Sequence, residues 1–282
     1  MMPHNTFIVG ANGQLGSALR EIYPDARTAD ISELDITSQE SIENYDWSNV
    51  EVIINAAAYT NVDGAETPEG RIAAWKVNAS AVGNLARKAA ELNITLVHVS
   101  SEYVFDGTTK QHGEEEPFSP LGVYAQSKAA GDIAVGVAGK HYIARTTWLI
   151  GNGNNFVKTM ASLADKGIQP SVVNDQIGRL TFTSTLAAGI KHLIDTGAPY
   201  GTYNITNDGD VASWSDIAKL VYESRGRAGD DVTPVSTSQY YAGKSDIAPR
   251  PLQSGVDLRK IKATGFTPSD WRTELSAYLN NL

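Results

Sequence analysis

Short apolar runs alternate with amphipathic stretches through the first half of the chain. The runs are rich in Val, Ile and Ala, which is typical of strands buried on both faces of a parallel sheet. They predict five strands, at residues 6–11, 26–30, 50–57, 95–101 and 142–148. The stretches between them predict four helices, at residues 14–23, 38–45, 71–92 and 124–138. This alternation indicates an α/β fold, with helices covering both faces of a parallel sheet.

The alternation breaks after residue 148. The pattern then predicts a loop at 151–155, a helix at 156–166, a strand near 171–173, a helix at 184–195 and a strand at 203–206. The last two elements are placed to extend the sheet.

The rest of the chain contains Pro234, Pro249 and Pro251 and predicts a smaller irregular unit with two short helices. We therefore expect one domain of residues 1–150, to which residues 181–207 return. Residues 151–180 and 208–282 form a smaller second domain in this interpretation.

Composition excludes several classes of protein. The 282 residues include no cysteine, so the chain forms no disulfide, thiolate zinc site or iron–sulfur cluster. The five histidines never occur four residues apart, so no helical His-x-x-x-His metal pair exists. The 23 basic and 32 acidic residues give a net charge of −9, which argues against binding along a nucleic-acid backbone.

The sequence also gives no sign of a membrane or export segment. No uncharged apolar run approaches the ~18 residues that a membrane helix needs. Residues 1–5 lead directly into the first predicted strand and leave no room for a secretory signal. We expect a cytoplasmic enzyme that binds neither membrane nor nucleic acid.

Three glycines, Gly10, Gly13 and Gly16, form the pattern G-x-x-G-x-x-G between the first predicted strand and the first predicted helix. Such a turn brings the backbone close to a pyrophosphate and places it at a helix N-terminus. The second predicted strand ends at Asp30, about 20 residues after Gly10, where a carboxylate binds the diol of an adenosine ribose. The chain is therefore predicted to bind a dinucleotide in a Rossmann-type, doubly wound parallel sheet.

Two questions about this cofactor stay open. Asp30 repels a 2′-phosphate, and the nearest cation, Arg27, lies inside the strand, so the sequence favours NADH and leaves NADPH open. The segment at residues 34–36 either lies along adenine or only leads into a helix capped by Thr37 or Ser38.

Tyr124 and Lys128 form the pattern Y-x-x-x-K at the start of a predicted helix. Residues four apart share a helix face, so the ammonium can lie near the phenol and lower its pKa. Such a tyrosine can protonate a carbonyl oxygen while hydride arrives at carbon. Ser101 ends a predicted strand at the carboxyl edge of the sheet, where its hydroxyl can meet the same oxygen. Tyr240 and Lys244 have the same spacing in a loop far from the sheet, and we expect no catalytic role for them.

The chain resembles the extended short-chain dehydrogenase/reductases and, among them, the dTDP-4-dehydrorhamnose reductase family. The resemblance covers nearly the whole chain, although the glycine turn and Y-x-x-x-K identify only the superfamily. The strings more particular to this family are YVFDG at 103–107, RTTW at 145–148 and VNDQ at 173–176. Further matches lie at residues 55–60, 62–66, 77–79, 124–131, 153–156, 178–179 and 250–251.

The resemblance implies a role for each matching position on the cofactor side. It assigns the pyrophosphate to Gly13, Gln14 and Leu15. It assigns adenine to Asp35 and Ile36, and the bridge between adenosine and nicotinamide to Ala58, Tyr59 and Thr60.

On the substrate side, the resemblance implies Ser101, Tyr124 and Lys128 as the catalytic trio, the last two also touching the cofactor. It also implies that Glu102 and Tyr103 line the sugar pocket. The resemblance implies that Trp148 stacks on the sugar or forms a wall beside it; alternatively, Trp148 is a core tryptophan at a strand end.

A sugar nucleotide also carries a diphosphate, and a chain of charge −9 needs local cations to hold it. We nominate Arg179 and Arg250, which lie in loops beside matching strings. The alternative is that both are structural or surface arginines.

One departure from the family concerns the sugar pocket. The usual Ser-Thr-Asp is Ser100-Ser101-Glu102 in this chain. Serine supplies the same hydroxyl as threonine, but glutamate is one methylene longer than aspartate. The resemblance therefore specifies the reaction type better than the sugar.

The resemblance implies that a monomer or homodimer uses NADH or NADPH to reduce the 4-keto group of dTDP-4-dehydro-L-rhamnose, the last step of dTDP-L-rhamnose synthesis. Some members of the family form dimers around Mg²⁺, but no carboxylate cluster in this sequence allows a metal site to be assigned. Two alternatives stay open. One is another nucleotide-sugar enzyme of the superfamily, a 4-epimerase or a reductase that makes a different 6-deoxysugar. The other is a cofactor-binding regulatory subunit without turnover.

Overall fold

The chain is described by a computed structural model over residues 5–245 and 247–282, and six parallel strands form its central sheet. These are β1 (Thr6–Val9), β2 (Arg27–Ala29), β3 (Val52–Asn55), β4 (Thr95–Ser101), β5 (His141–Thr146) and β10 (Gly201–Asn204). Across the sheet they follow the order β10-β5-β4-β3-β1-β2. The order reverses between β1 and β3, and ligands of doubly wound sheets bind at such a switch point. The predicted α/β fold is confirmed, and the strand predicted at 203–206 joins the sheet as β10.

Alternate side chains of the strands are buried on opposite faces of the sheet. On β1, Phe7 and Val9 belong to one hydrophobic core and Ile8 to the other. Helices α1 (Gln14–Ile22) and α7 (Thr183–Thr196) cover the face of Ile8. Helices α2 (Gln39–Asn44) and α4 (Ala81–Glu91) cover the opposite face, and the end of α5 (Val123–Val135) packs into the same core.

The helix predicted at residues 71–92 is wrong in its start and its interior. Helix α3 (Pro68–Trp75) begins earlier, because the Thr67 side chain accepts the N–H of Gly70 and proline suits the first helical position. A π-helical turn, Lys76–Ser80, then joins α3 to α4. An apolar pattern of helical period does not distinguish one wider turn from α-helix.

Residues beyond β5 build a third hydrophobic core. Helices α6 (Phe156–Asp165), α8 (Trp214–Ser224) and α11 (Trp271–Asn280) pack around the fully buried Trp271. Three short strand pairs border it: β6 (Leu149–Ile150) with β9 (Thr181–Phe182), β7 (Ser171–Val173) with β12 (Thr233–Val235), and β8 (Ile177–Gly178) with β11 (Ala212–Ser213). Two shorter helices are α9 (Thr237–Tyr240) and α10 (Arg259–Ala263).

The prediction of two short helices in this last region is incomplete, because its described residues also contain α8 and α11, with 11 and 10 residues. Ser213 and Asp216 form a capping box that starts α8. Asp270 starts α11 by accepting the N–H groups of Arg272 and Thr273. The three prolines that suggested irregular structure lie outside both helices.

Part of the last region returns to the sheet. Val256, Leu258 and Ile261 belong to the core beneath α1 and α7. The two-domain division stays a prediction. Across the described ranges, no helix combines the length and apolar character needed to cross a bilayer. Residues 1–4, on which the expectation about a secretory signal rests, lie outside the described residues.

Candidate active site

The glycine turn between β1 and α1 is built for close backbone approach. Gly10 has a φ of +75°, and a Cβ atom there would lie 2.6 Å from the backbone nitrogen of Ala57. A Cβ atom on Gly16 would overlap the carbonyl oxygen of Gly10. Both positions therefore require glycine. The N-cap of α1 is Gly13, which has no side chain to occupy the free N–H groups at the helix start.

Asp30 closes this turn from outside. Its Oδ2 accepts the N–H of Asn12 at 3.1 Å, and its Oδ1 accepts the N–H of Ile31 at 2.8 Å. The carboxylate therefore holds the turn against the end of β2, a role that the sequence analysis did not assign.

A cavity of about 330 Å³, here named the Asp30 cavity, lies beside the turn. Its wall includes Gly10, Gly13, Asp30, Asp35, Ile36 and Ala58. Asp35 also accepts the N–H of Thr37 at 2.9 Å, and Ser38 caps α2. The segment therefore leads into a helix and also lines the Asp30 cavity, and its contact with adenine stays a prediction.

Arg27 does not reach the Asp30 cavity. Its guanidinium donates to the carbonyl oxygens of Ser48 at 3.0 Å and Asp46 at 2.6 Å, and it lies over the ring of Phe7. Among the described residues along the wall of the Asp30 cavity there is no lysine or arginine. The structure therefore removes Arg27 as the partner of a 2′-phosphate.

A second cavity, of about 610 Å³ and here named the Tyr124 cavity, continues from the first, because Gly13, Ala56 and Ala58 line both. It lies beyond the carboxyl ends of β3, β4 and β5. It brings together the predicted residues Gln14, Leu15, Thr60, Ser101, Glu102, Tyr124, Lys128 and Trp148.

Tyr59 is held beside this cavity through its backbone. The Asn78 side chain accepts the N–H of Tyr59 at 2.9 Å and donates to its carbonyl oxygen at 3.0 Å. It also donates to Ser127 Oγ at 3.0 Å. Buried Asn78 therefore fixes the loop after β3 against α5. The sequence analysis gave Asn78 no role, although it lies in the matching string at 77–79.

Lys128 is buried one helical turn after Tyr124. Its Nζ donates to the carbonyl oxygen of Val99 at 2.7 Å. Burial lowers the pKa of Lys128 to about 8, and the carboxyl group of Asp132 works against this fall. At neutral pH the residue is still mostly an ammonium.

The predicted lowering of the Tyr124 pKa is wrong for the chain by itself. Burial raises the pKa of Tyr124, the Glu102 carboxyl adds to the rise, and the Ser101 hydroxyl works against it. Desolvation of the phenolate outweighs the attraction that was expected from the lysine. Tyr124 therefore keeps its proton at neutral pH, which is the form that can protonate a carbonyl oxygen.

Ser101 and Glu102 form a hydrogen-bonded pair at the end of β4. Ser101 Oγ donates to Glu102 Oε2 at 2.8 Å and accepts the N–H of Tyr103 at 3.2 Å. Burial raises the pKa of Glu102 to about 7. The serine hydroxyl, which is predicted to meet a substrate oxygen, thus donates to the glutamate in the chain by itself.

Trp148 forms one wall of the Tyr124 cavity. Its ring stacks on Trp214 with centroids 3.8 Å apart, and a Cβ atom on Gly178 would lie 2.9 Å from it. Its φ of +28° is rare for a bulky residue and indicates local strain. The ring is partly exposed, so the structure favours a wall residue over a core tryptophan.

A third cavity, of about 440 Å³ and here named the Arg250 cavity, lies behind this wall and is bordered by Trp214. Its lining includes the aromatic residues Tyr103, Phe156, Tyr240 and Tyr241, together with Arg250. The Tyr103 ring packs edge-on against Tyr124, with centroids 5.9 Å apart. Tyr103 therefore joins the Arg250 cavity to α5.

Tyr240 and Lys244 do not share a helix face as Tyr124 and Lys128 do, because α9 ends at Tyr240. The Lys244 ammonium lies over the face of the Tyr240 ring, 4.1 Å from its centroid. The sequence analysis missed the place of Tyr240 and Tyr241 in the Arg250 cavity. Two adjacent tyrosines shortly before the matching string at 250–251 were the available signal.

Arg179 lines none of these three cavities, which favours the structural alternative over its nomination as a phosphate-binding residue. It is 7% exposed, and its guanidinium donates to the carbonyl oxygens of Val256 at 2.5 Å and Gly209 at 3.3 Å. It therefore ties loops together. Within residues 5–245 and 247–282, no three His, Asp or Glu side chains are grouped so as to hold a metal ion.

Sequence comparison finds close relatives along the whole chain. A model of the family described as RmlD substrate binding domain matches residues 4–282. The dTDP-4-dehydrorhamnose reductase of Aggregatibacter actinomycetemcomitans is 38% identical over 284 residues, which cover 95% of this chain and 96% of the relative. A protein of the same name from Mycobacterium tuberculosis is 36% identical over 286 residues, which cover 96% of this chain and 91% of the relative.

Solved structures show the same similarity. The crystal structure of dTDP-4-dehydrorhamnose reductase from Bacillus anthracis str. Ames in complex with NADP has a TM-score of 0.91 and 35% identity, with 100% of both chains covered. The dTDP-glucose 4,6-dehydratase DesIV from Streptomyces venezuelae has a TM-score of 0.81 over 98% of this chain and 95% of its own. At 17% identity, it shares the fold alone.

Proposed function

We propose, because this chain belongs to the RmlD substrate binding domain family, that it catalyses the NAD(P)H-dependent reduction of dTDP-4-dehydro-L-rhamnose to dTDP-L-rhamnose. One observation carries the proposal: the Tyr124 cavity joins the glycine turn to Ser101, Tyr124 and Lys128 beyond the carboxyl ends of the strands. We place the reaction in the cytoplasm, as the last step of dTDP-L-rhamnose synthesis.

The residues present fit a dinucleotide. The glycine turn leaves no room for a Cβ atom at Gly10 or Gly16, and Gln14 Oε1 is a buried oxygen without a partner in the described chain. We assign the pyrophosphate to Gly13, Gln14 and Leu15, the adenosine end to Asp30, Asp35 and Ile36, and the bridge to Ala58, Tyr59 and Thr60. The Bacillus anthracis relative was solved with NADP, so we propose either NADH or NADPH where the sequence favoured NADH. When bound, NAD(P)H supplies the hydride that reduces C4 of the sugar.

Tyr124 supplies the proton in this proposal. Its phenol gives a proton to O4 as negative charge develops there, so one hydride and one proton convert the ketone to a hydroxyl group. Lys128 keeps its positive charge one turn away on the same helix face, where it stabilises the tyrosinate that is formed.

Ser101 and Glu102 orient the reacting oxygen. While Glu102 is ionised, its carboxylate accepts a hydrogen bond from the Ser101 hydroxyl. A protonated Glu102 donates to Ser101 Oγ instead and frees the serine proton for O4. Because the pKa of Glu102 is about 7, this exchange falls near neutral pH.

The substrate is proposed to span two cavities. The sugar lies against Trp148 in the Tyr124 cavity, and the nucleotide extends past Tyr103 into the Arg250 cavity. Aromatic walls suit planar bases, and Arg250 is the cation of that lining. Residues 1–150 with 181–207 then hold the cofactor, and residues 151–180 with 208–282 hold the substrate.

The proposal is tested by mixing the purified chain with the 4-keto sugar nucleotide and NADPH or NADH. We expect consumption of one reduced cofactor for each 4-hydroxy sugar formed, with the L-rhamnose configuration by NMR. Interconversion of sugars without added NAD(P)H, by a protein purified with bound NAD, would indicate an epimerase. Cofactor binding without turnover would indicate a regulatory subunit.

A further inference from the structure

The catalytic helix α5 receives its N-terminal cap from a distant part of the chain. Its N-cap, Gly122, has no side chain, and Tyr124 is the second residue of the helix. The N–H of Val123 donates instead to Oε1 of Glu66, at 2.8 Å and 57 residues earlier in sequence. A carboxylate in this position satisfies a free N–H and lies at the positive end of the helix dipole.

Gly122 makes room for this carboxylate. A Cβ atom at residue 122 would lie 2.8 Å from Glu66 Oε1 and 3.3 Å from Cδ of Pro249. Helices usually begin with Ser, Thr, Asp or Asn at this position, because those side chains cap the helix themselves. The glycine is therefore explained by a cap that comes from outside the helix.

Glu66 belongs to a tight turn at residues 61–67, here named the acidic turn. Asn61 Oδ1 accepts the N–H of Gly64 at 2.9 Å, and Asn61 O accepts the N–H of Ala65 at 3.0 Å. Ala65 is fully buried and packs in one small apolar cluster with Tyr124. The carboxylate thus sits on a hydrogen-bonded turn that belongs to the same apolar cluster as Tyr124.

The acidic turn also holds the segment at residues 248–250. Asp63 Oδ1 accepts the N–H of Ala248 at 3.1 Å, and Asp63 Oδ2 pairs with Arg250 Nη2 at 2.8 Å. Although burial works in the opposite direction, Arg250 and Ala248 hold the pKa of Asp63 below its usual range. Two carboxylates of one turn therefore join the start of α5 to the wall of the Arg250 cavity.

We propose that Glu66 is a positioning residue for the reaction: its carboxylate fixes the first turn of α5 and thereby holds the Tyr124 phenol in register with the substrate cavity. The kinetic part of this inference rests on the proposed function, whereas the capping part does not. A displacement of 1 Å at a catalytic group costs about 100-fold in rate. Loosening a single helical turn disorders the phenol less, and we expect a loss of about 10-fold in kcat.

Three variants separate positioning from general stability. Glu66→Ala removes the cap, and Glu66→Gln keeps an acceptor oxygen without the charge. Asp270→Ala is the matched control, because Asp270 caps α11 with a carboxylate and lines neither the Tyr124 cavity nor the Arg250 cavity. The measurements are amide hydrogen exchange of the chain without ligands, the dissociation constant of NADPH, and steady-state kcat and KM.

We expect faster exchange at residues 123–126 in Glu66→Ala, with a lower kcat and an unchanged NADPH dissociation constant. Glu66→Gln should recover most of the kcat, because its amide oxygen still accepts the Val123 N–H. Asp270→Ala should exchange faster at the start of α11 and keep the kcat of the parent chain.

Two results would overturn the proposal: a parental kcat in Glu66→Ala, or an equal loss of kcat in Asp270→Ala. If the parent chain does not turn over the sugar nucleotide, the proposed function fails instead. Hydrogen exchange still decides the capping role in that case, because parental exchange at residues 123–126 in Glu66→Ala would refute it.

Discussion

Individual side chains of this site owe their protonation states mainly to burial. Tyr124 keeps its proton, Glu102 ionises only near neutral pH, and Lys128 loses part of its usual affinity for a proton. All three shifts favour the neutral form of the group, as desolvation requires. The chain by itself thus holds a proton donor ready for a ketone.

Removing the Tyr124 phenol oxygen should affect the chemical step alone. Tyr124→Phe is expected to lower kcat by roughly 10²–10⁴-fold while NADPH binding is retained, because a positioned proton donor typically contributes that much. Steady-state kinetics and cofactor titration measure both effects. Tyr240→Phe is the comparison, and any effect of that variant should be confined to KM, since Tyr240 lines the Arg250 cavity. Near-parental turnover in Tyr124→Phe would refute the assignment.

Glu102 should make stability depend on pH within a defined window. Its carboxyl ionises near pH 4.5 in the unfolded chain and near pH 7 in the folded chain. Between these values the folded chain binds more protons, so its stability falls as pH rises, and the loss is complete above pH 7. Glu102→Gln cannot ionise at this position. As pH rises across this window, the free energy of unfolding of the variant should therefore increase by roughly 3 kcal/mol relative to that of the parent chain. Urea unfolding at several pH values measures the difference, and a difference that stays constant with pH would contradict the prediction.

At the scale of elements, local turns and caps determine how the site is assembled. The glycine turn is closed by Asp30, α2 is capped by Ser38, and α5 is capped by Glu66. Each of these three contacts fixes the backbone next to residues that line the Asp30 cavity or the Tyr124 cavity. Asp30 combines both tasks, because its carboxylate closes the turn and faces the proposed adenosine site.

Asp30→Ala should therefore weaken NADH binding more than NADPH binding. The lost carboxylate would accept hydrogen bonds from a ribose diol and would repel a 2′-phosphate. Fluorescence titration with both cofactors measures the two dissociation constants. Asp30→Asn is the control, because its amide oxygen can still accept the Asn12 N–H and so keep the turn closed. An equal loss for both cofactors would show that Asp30 acts only on the turn.

Elements whose cause is local could be predicted from sequence, and contacts between distant residues could not. β4 has the predicted bounds, because a buried strand with flanking turns is a local pattern. The π turn was not predicted, because one wider turn changes the spacing of apolar residues too little to be detected in the sequence. The contact of Glu66 with Val123 spans 57 residues, and Arg179 binds carbonyl groups of remote loops. Nothing in the neighbouring sequence marks such partners.

At the scale of the whole molecule, a few contacts join the sheet to the later core. Trp148 follows the last residues of β5 and stacks on Trp214, the first residue of α8. Gln14 of the glycine turn donates to the carbonyl oxygen of Asn154 at 3.3 Å. Both contacts lie at the Tyr124 cavity, so the two parts of the chain meet where hydride transfer is proposed.

Trp148→Ala should raise KM for the sugar nucleotide and leave the NADPH dissociation constant nearly unchanged. The ring forms a wall on the proposed sugar side, whereas the cofactor contacts come from the glycine turn. Kinetics together with thermal unfolding test this expectation. A loss of ~3–5 kcal/mol in stability without a change in KM would show that Trp148 acts as a core residue.

The π-helical turn Lys76–Ser80 has a consequence for changes in chain length. A π turn holds one residue more than an α turn, so a deletion within 76–80 lets α3 and α4 merge with their apolar faces in phase. A deletion elsewhere in this helix rotates every later residue by about 100° and buries the wrong face. If the deleted residue is Asn78 itself, the hydrogen bonds to Tyr59 and Ser127 are lost. A chain shortened by Asn78 would thus keep α3 and α4 in phase and lose the side chain that fixes the loop after β3 against α5.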